Sequence, residues 1–293
     1  MQYIIMDLEW NTTYGQKING FINEVIEIGA VKLDENLEVV DTFASFVKVP
    51  IGKKLMGRVK RLTNITLEDI RSGVPFTKAM SDFRRWVGNE DNITLTWGDT
   101  DIRVLIENYK YLNGIDVIPF LKNYANLQAF YQRVQNISLS KQIGLSAAAE
   151  ALEIDPLAYD THRALGDSLL SAEIFKKSFE PEILKEMTSP CDSFFYDKLT
   201  FKPFVVSSLS SPLANEEILG CTCGKCHKAA KQLEDWCFKN QFFQAKFVCE
   251  SCQTKYKVKV RFKKYFDRLD INKYVQLDRT AEQKEGSPKN ATT

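Results

Sequence analysis

The stretch Met6-Asp7-Leu8-Glu9-Trp10-Asn11 follows the short run Gln2-Tyr3-Ile4-Ile5, whose apolar and β-branched residues predict a strand. Because successive side chains of a strand point to opposite faces, we expect Asp7 and Glu9 to share one face. Two carboxylates at the end of a buried strand are costly unless a partner neutralises them, and such oxygen ligands suit Mg²⁺ or Mn²⁺. Most Asp-X-Glu motifs are solvated residues at a sheet edge, so the motif alone does not establish a metal site and the rest of the chain decides.

Length and composition fit a globular protein with one large and one small domain. The chain has 293 residues, of which 44% are hydrophobic and 26% charged. The sequence contains no apolar run of membrane length. Asp7 and Glu9 interrupt the segment where a signal peptide would need an apolar core, so we expect a cytoplasmic protein without a membrane partner.

The net charge of +1 conceals an uneven distribution along the chain. Residues 221–279 contain 14 basic and 6 acidic residues, or +8, whereas residues 1–220 contain 23 basic and 30 acidic residues, or −7. A basic module joined to an acidic body indicates an anionic partner for the module.

The order of predicted elements indicates an α/β fold with a mixed central sheet flanked by helices. An antiparallel meander comes first, with strands at residues 2–5, 25–31 and 37–49 and a loop over residues 11–20. Strands and helices then alternate, with strands at 92–97 and 127–131 and helices that begin at Thr66 and cover 75–87, 102–112, 140–152 and 162–178.

Further carboxylates lie at strand–helix junctions of this predicted fold. Asp101 lies where a strand gives way to a helix, and Asp167 lies at the start of the last long helix. Together with Asp7 and Glu9 they make four carboxylates. Such a set can hold two divalent ions about 4 Å apart, the arrangement that clamps the attacking and leaving oxygens of a phosphodiester.

A histidine close to these carboxylates is the candidate general base. An unperturbed histidine titrates at about pH 6.5, so it can take a proton from water near neutral pH. The chain has two histidines, and His227 adjoins a cysteine cluster, which leaves His162. Five residues turn a helix through about 140°, so His162 and Asp167 do not share a helical face. We therefore expect His162 at the helix entrance, on less regular backbone.

Asp7-Leu8-Glu9, the segment Trp97 to Ile102 and the run His162-Arg163-Ala164-Leu165-Gly166-Asp167 resemble the three motifs of the DEDDh 3′-to-5′ exonuclease superfamily. That superfamily has a ribonuclease H-like fold. The resemblance covers about residues 1–185 and is nearest to the branch of sporulation-inhibitor-type exonucleases and eukaryotic histone-mRNA and small-RNA trimming exonucleases. Leu62 to Thr66 resembles a further family segment, although Asn64 replaces the expected glycine.

The resemblance implies a role for each motif residue. The four carboxylates would be metal ligands and His162 the general base. Asp99 is a rival for the second motif, but Asp101 is preferred because the sequence after it leads into a helix. The family also implies that three residues line the pocket of the terminal nucleotide, with a core position as the alternative for the tryptophan: Leu8, Trp10 and Asn11.

Two Cys-X-X-Cys pairs predict one structural Zn²⁺ ion. The pairs are Cys223/Cys226 and Cys249/Cys252, and four thiolates at this spacing bind zinc tetrahedrally. Such a small module has too little core to fold unaided, so the ion would supply much of its stability. Cys221 or His227 is an alternative ligand, and we expect buried thiols at Cys191 and Cys237.

The segment after the cysteines is a predicted strand with cations on one face and apolar residues on the other. It suits phosphates, although lysines that prevent edge pairing, or a protein-binding ribbon, are alternatives. The cations are Lys255, Lys257, Lys259, Arg261 and Lys263.

We therefore predict a metal-dependent 3′-to-5′ exonuclease that uses two Mg²⁺ or Mn²⁺ ions on single-stranded 3′ ends, with RNA favoured over DNA. The rival hypotheses are an inactive nucleic-acid-binding adaptor with the same fold and an endonuclease of the ribonuclease H-like class. The predicted domains are an exonuclease domain (1–185), a partly packed linker (186–216), a basic zinc ribbon (217–279) and a disordered tail (280–293).

Overall fold

The computed structural model describes residues 1–14, 20–52 and 54–278. Two compact units are present, Met1–Thr200 and the residues from Phe201 onward. The boundary falls within the predicted linker 186–216, and the predicted tail 280–293 lies outside the described residues. Among the helices of the described ranges, none is long and apolar enough to cross a membrane.

A seven-stranded mixed sheet forms the first unit, as the sequence predicts. Its strands in chain order are β1 (Gln2–Tyr14), β2 (Phe21–Leu33), β3 (Val39–Lys48), β4 (Val74–Pro75), β5 (Asn92–Thr96), β6 (Asn123–Asn126) and β7 (Ser189–Pro190). The spatial order is β4-β3-β2-β1-β5-β6-β7. β1 is central, antiparallel to β2 and parallel to β5.

Helices cover both faces of this sheet. They are α1 (Gly57–Thr63), α2 (Leu67–Ser72), α3 (Phe76–Val87), α4 (Thr100–Asn113), α5 (Leu127–Val134), α6 (Leu145–Ala151), α7 (Ala164–Lys177), α8 (Pro181–Met187) and α9 (Ser193–Thr200), with a 3₁₀ turn at Pro156–Ala158. Met6 and Leu8 of β1 share a core with α3 and α4, whereas Tyr3 and Ile5 share one with α5 and α7. Because Asp7 follows Tyr3 and Ile5 at period two, its side chain lies on the α7 face.

Two sequence predictions in this unit are wrong. Residues 11–14 of the loop predicted over residues 11–20 belong to β1, which continues to Tyr14 and pairs with β2 beyond a bulge at Glu9/Trp10. The strand predicted at 127–131 is helix α5, since the side chain of Asn126 caps that helix by accepting a hydrogen bond from the Ala129 amide at 2.9 Å.

The second unit is a small β structure around its own core. Its elements are β8 (Phe204–Val205), α10 (Glu216–Leu219), β9 (Cys221–Thr222), β10 (Ala229–Gln232), β11 (Cys237–Lys239), β12 (Phe242–Val248), β13 (Lys255–Lys264) and β14 (Leu269–Leu277). β13 pairs antiparallel with both β12 and β14. The basic segment is therefore an internal strand, and the interpretation of its lysines as protection of a free edge is wrong.

Candidate active site

Three carboxylates meet at the end of the central strand. Asp7 and Glu9 come from β1, and Asp167 comes from the first turn of α7. Their carboxylate oxygens lie within 4.8 Å of one another, and each side chain is partly buried. This spacing is short enough for one cation to contact all three groups.

Asp101 adjoins this cluster from the first turn of α4. It is 4% exposed, and its Oδ1 accepts a hydrogen bond from the Leu8 amide at 3.1 Å. Its charge raises the pKa of Asp7, although it lies outside the tightest group of three. All four predicted carboxylates therefore interact electrostatically.

The electrostatics of the cluster favour a bound cation. Burial, followed by repulsion from neighbouring carboxylates, raises the pKa of Asp7 well above its usual range and that of Glu9 to about 8. Burial likewise raises the pKa of Asp101 to about 7 and raises that of Asp167. Divalent cations offset both burial and repulsion, so the donor set fits Mg²⁺ or Mn²⁺.

His162 lies at the entrance to α7, on the irregular backbone that the five-residue offset predicts. It has φ of 64°, in the left-handed region, and the side chain is exposed. Its amide donates a hydrogen bond to Oδ2 of Asp167 at 3.2 Å. Together with Glu9 and Trp10, His162 lines a cleft. The geometry allows His162 to meet a substrate held at the carboxylates.

A fifth acidic residue, outside the three sequence motifs, lies close to the carboxylate cluster. Glu27 of β2 is opposite Glu9 in the sheet register and is 4% exposed. It forms an ion pair with Arg163 and accepts a hydrogen bond from the Ala164 amide at 3.2 Å. The signal in the sequence was a lone glutamate within the apolar run 25–31.

The start of α7 packs closely against the backbone of β2. Gly29 lies two residues after Glu27, and a Cβ on it would stand 2.1 Å from the carbonyl carbon of Ala164. A Cβ on Gly166 would stand 1.9 Å from the carbonyl oxygen of Asp160. Both positions therefore need glycine so that the start of α7 can carry Asp167 to the cluster.

The cleft beside the carboxylates has a volume of about 370 Å³. Its wall combines apolar and cationic groups, which suits a base and a phosphate. The lining residues are Glu9, Trp10, Thr12, Met56, Arg58, Val59, Leu62, Thr63 and His162.

Of the three predicted pocket residues, Trp10 is the one that lines this cleft. Leu8 is 2% exposed and belongs to the core with α3 and α4. Asn11 is 1% exposed, and its side chain binds the Lys54 carbonyl and the Met56 amide. Leu8 and Asn11 are thus not among the residues that line this cleft, and their place in the pocket of the terminal nucleotide stays a prediction.

Asp99, the rival for the second motif, has other partners. Its Oδ1 accepts hydrogen bonds from the Tyr124 hydroxyl at 3.0 Å and from Nδ2 of Asn126 at 2.9 Å. These contacts hold it at the edge of β6, while Asp101 is the residue next to Asp7. The geometry thus favours Asp101 as the acidic residue of the second motif.

Four cysteine sulfurs converge in the second unit. Cys223, Cys226, Cys249 and Cys252 lie within 4.8 Å of one another, with Sγ–Sγ distances of 3.4 Å for Cys223–Cys252 and Cys226–Cys249. A tetrahedron with Zn–S bonds of about 2.3 Å has edges of about 3.8 Å, so the group fits zinc after a small expansion.

The cysteines differ in their surroundings. A hydrogen bond from the Tyr256 hydroxyl lowers the pKa of Cys223 to about 5, which favours the thiolate that zinc needs. Cys221 is buried outside the group of four. Cys191 is half-buried and Cys237 is exposed, so the prediction of a buried thiol is wrong for Cys237.

Comparison with known proteins relates the first unit to nucleases. The exonuclease family RNase_T matches residues 4–175. The chain is 30% identical over 175 residues to the probable 3′-5′ exonuclease KapD of Bacillus subtilis (strain 168), covering 59% of this chain and 82% of the relative. It is 28% identical over 163 residues to 3′-5′ exoribonuclease 1 of Homo sapiens, covering 53% of this chain and 46% of that one.

Solved structures share the same fold. The nuclease domain of 3′hExo, a DEDDh family member bound to rAMP, matches with a TM-score of 0.51 and 26% identity, covering 59% of this chain and 88% of that one. A 3′-exonuclease in 3′-end specific recognition of a histone mRNA stem-loop matches with a TM-score of 0.54. At 23% identity over 66% of this chain and 71% of that one, the second likeness concerns the fold alone.

Proposed function

The chain belongs to the RNase_T family of exonucleases, and we propose that it degrades single-stranded RNA in preference to DNA from the 3′ end with two divalent metal ions. As a DEDDh-type 3′-to-5′ exonuclease it acts on nucleic acid. The observation that carries the proposed mechanism is the convergence of Asp7, Glu9 and Asp167 within 4.8 Å, next to His162. The proposed preference for RNA is supported by two similar proteins, an exoribonuclease and a nuclease domain bound to rAMP.

The proposed metal ligands are Asp7, Glu9, Asp101 and Asp167. Their raised pKa values describe the metal-free protein, in which buried like charges repel one another. When bound, Mg²⁺ or Mn²⁺ ions at such a site lower the pKa of water and stabilise developing charge on the scissile phosphate. The role of the protein is to hold the carboxylates in place without reorganisation during the reaction.

His162 is the proposed general base. The attacking water gives its proton to the imidazole as the new P–O bond forms and the bond from phosphorus to the 3′ oxygen breaks. The leaving 3′ oxygen takes up a proton, so the products are a nucleoside 5′-monophosphate and a chain one residue shorter. His162 is exposed and lines the cleft, which supports this role, because a general base must approach the water that attacks the bound phosphate.

The cleft is the proposed site for the terminal nucleotide. Trp10 offers an aromatic face on which a base or ribose can stack, and Arg58 brings a positive charge to the same wall. Met56 and Leu62 complete an apolar side. A site that binds a nucleotide through stacking and shape accepts more than one kind of base.

The test is cleavage of single-stranded RNA and DNA labelled at the 5′ end, with Mn²⁺, by the protein and by its Asp7→Ala variant. We expect a ladder that shortens from the 3′ end, faster on RNA, and no ladder from the variant. Equal rates on both substrates would overturn the preference for RNA. Retained cleavage by Asp7→Ala would overturn the assignment of the metal site.

A further inference from the structure

The second unit carries a two-sided strand at the centre of its sheet. In β13 the side chains of Tyr256, Val258, Val260 and Phe262 are at most 4% exposed and form the core. The alternate residues point to the other side of the sheet. The surface that these alternate residues form is called the cationic face, and its members on β13 are Lys255, Lys257, Lys259, Arg261 and Lys263.

Neighbouring strands extend the cationic face and add aromatic rings. Lys246 of β12 is opposite Lys257, and Tyr274 of β14 is opposite Lys259. The ring of Tyr274 lies 5.8 Å from that of Phe242, between centroids, and the guanidinium of Arg261 lies 5.1 Å from the Phe242 ring. Two rings thus lie among cations on this face; Tyr274 is 49% exposed and Phe242 is half-buried.

Among the described residues, the lysines at the middle of this face lack acidic partners, although Asp270 lies opposite Lys263 at one end. Ion pairs of the second unit involve Lys231, Lys246 and Arg268, whereas Lys257 and Lys259 form none with any described residue. Within the same described part of the chain, Nε of Arg261 is buried without a hydrogen-bond partner. Lys246 lies directly opposite Lys257, a like-charge arrangement that destabilises a sheet, and the ion pair with Glu234 compensates Lys246 but not Lys257.

We propose that the cationic face is a binding site for single-stranded nucleic acid, with phosphates along the lysine row and unpaired bases stacked on Tyr274 and Phe242. Alternate residues of a strand are about 6.8 Å apart, so five cations form a row of about 27 Å that can follow an extended backbone. Exposed rings among cations are the pattern by which proteins bind single strands without sequence preference. This inference rests on the proposed function, because it assigns the site that holds the same substrate away from its 3′ end.

A single strand fits the observations better than other anionic partners. A duplex hides its base faces, so it would use the lysines and leave the rings of Tyr274 and Phe242 without partners. An acidic protein segment would need apolar contacts, but the sheet's apolar residues on β13 lie on the opposite, buried side.

The test uses the full-length, zinc-loaded protein and a fluorescent 15-nucleotide single strand, without added divalent ions. Tyr274→Ala should weaken binding about tenfold by removing one stacked base, and Tyr274→Phe should retain binding. Val275→Ala is the matched control, because Val275 is the next residue of β14, 44% exposed, on the opposite side of the sheet. Its affinity should equal that of the parent protein.

Salt dependence tests the lysines separately. The double variant Lys257→Gln/Lys259→Gln should reduce the slope of log K against log salt by about 1.4, or 0.7 per lost phosphate contact on a single strand. Lys273→Gln is the control, since Lys273 pairs with Val260 on the opposite side and donates to the Gly220 carbonyl. It should leave the slope unchanged.

The outcomes separate this inference from the proposed function. Hydrolysis of the p-nitrophenyl ester of thymidine 5′-monophosphate by the parent protein tests the carboxylate site alone, because this substrate has no upstream nucleotides. Unchanged oligonucleotide affinity in Tyr274→Ala and in the lysine variant would overturn the inference even if the ester is cleaved. Equal competition by a duplex of the same length would also overturn it, since stacking would then have no part.

Discussion

Glu27 and Arg163 form a two-point ion pair that fastens the start of α7 to the strand opposite Glu9. Nη2 of Arg163 donates to Oε1 of Glu27 at 2.6 Å, and Nε donates to Oε2 at 3.0 Å. The glutamate side chain is 5% exposed and the arginine side chain 30%. Because Arg163 is adjacent to His162, the pair also determines where the proposed base stands.

Removal of Arg163 is expected to destabilise the first unit. Arg163→Ala leaves the buried Glu27 carboxylate with the Ala164 amide as its remaining donor, so the free energy of unfolding should fall by about 3–5 kcal/mol. Denaturant unfolding measures this change. In the control Arg163→Ala/Glu27→Gln, part of the stability should return because no buried charge is left unpaired. A loss below about 0.5 kcal/mol in the single variant would show that the pair is not structural.

Substitution of His162 is expected to affect chemistry more than binding. His162→Ala should lower kcat by about 10²–10⁴-fold, the usual contribution of general acid–base catalysis, while oligonucleotide affinity is retained. The matched variant is His162→Asn, because asparagine tolerates the left-handed backbone at φ of 64°. Equal losses in both variants would assign the effect to the imidazole. Full activity in His162→Asn would remove His162 from the mechanism.

Much of this site follows from local sequence rules. Alternation along β1 predicts that Asp7 and Glu9 share a face, and the five-residue offset predicts that His162 lies off the regular helix. The same alternation also predicts that Leu8 points away from Asp7, so its place in the core was available from the period of the strand. The family resemblance alone suggests a pocket position for Leu8, which stays a prediction, whereas the periodicity accounts for its observed place in the core.

The contacts that sequence reasoning missed are long-range. Glu27 and Arg163 are 136 residues apart, and their pairing depends on how α7 packs on β2. Asn11 was expected in a loop, but the strand continues past the bulge and its side chain turns inward to hold Met56. The lone glutamate in the apolar run 25–31 marks a buried acid, but neither contact partner can be found from local sequence, because each contact depends on strand register and helix packing.

Replacement by asparagine is expected to affect the rate of hydrolysis differently at Asp99 and at Asp101. Asp101→Asn removes a proposed metal ligand beside Asp7 and should abolish hydrolysis in Mg²⁺. Asp99→Asn preserves the shape of a residue whose partners are Tyr124 and Asn126, and should retain most of the activity. Parallel rate measurements with Mg²⁺ check this. The reverse pattern would reassign the second motif to Asp99.

Stability without metal is expected to fall as the pH rises. The folded-state pKa values of Glu9 and Asp101 are raised to about 8 and about 7 from ordinary values of 4.5 and 3.8. Between about pH 4 and 8 the folded protein therefore binds more protons than the unfolded chain, so stability decreases across this interval. Mg²⁺ should raise Tm more at pH 8 than at pH 6, because at pH 6 it competes with protons. Thermal melts at both pH values, with and without Mg²⁺, measure the difference, and an equal Mg²⁺ effect would contradict it.

Zinc is expected at one ion per chain, held by the four-cysteine group of the second unit. Cys223→Ser should lose the ion, because Cys223 is fully buried between Cys252 and the Tyr256 hydroxyl and no other thiol takes its place. Without zinc the small core of this unit should open and become sensitive to protease. Elemental analysis of purified protein and limited proteolysis measure both effects. The exposed Cys237 provides the control Cys237→Ser, which should keep the ion. Loss of zinc in Cys221→Ser but not in Cys223→Ser would assign the ligand to Cys221 instead of Cys223.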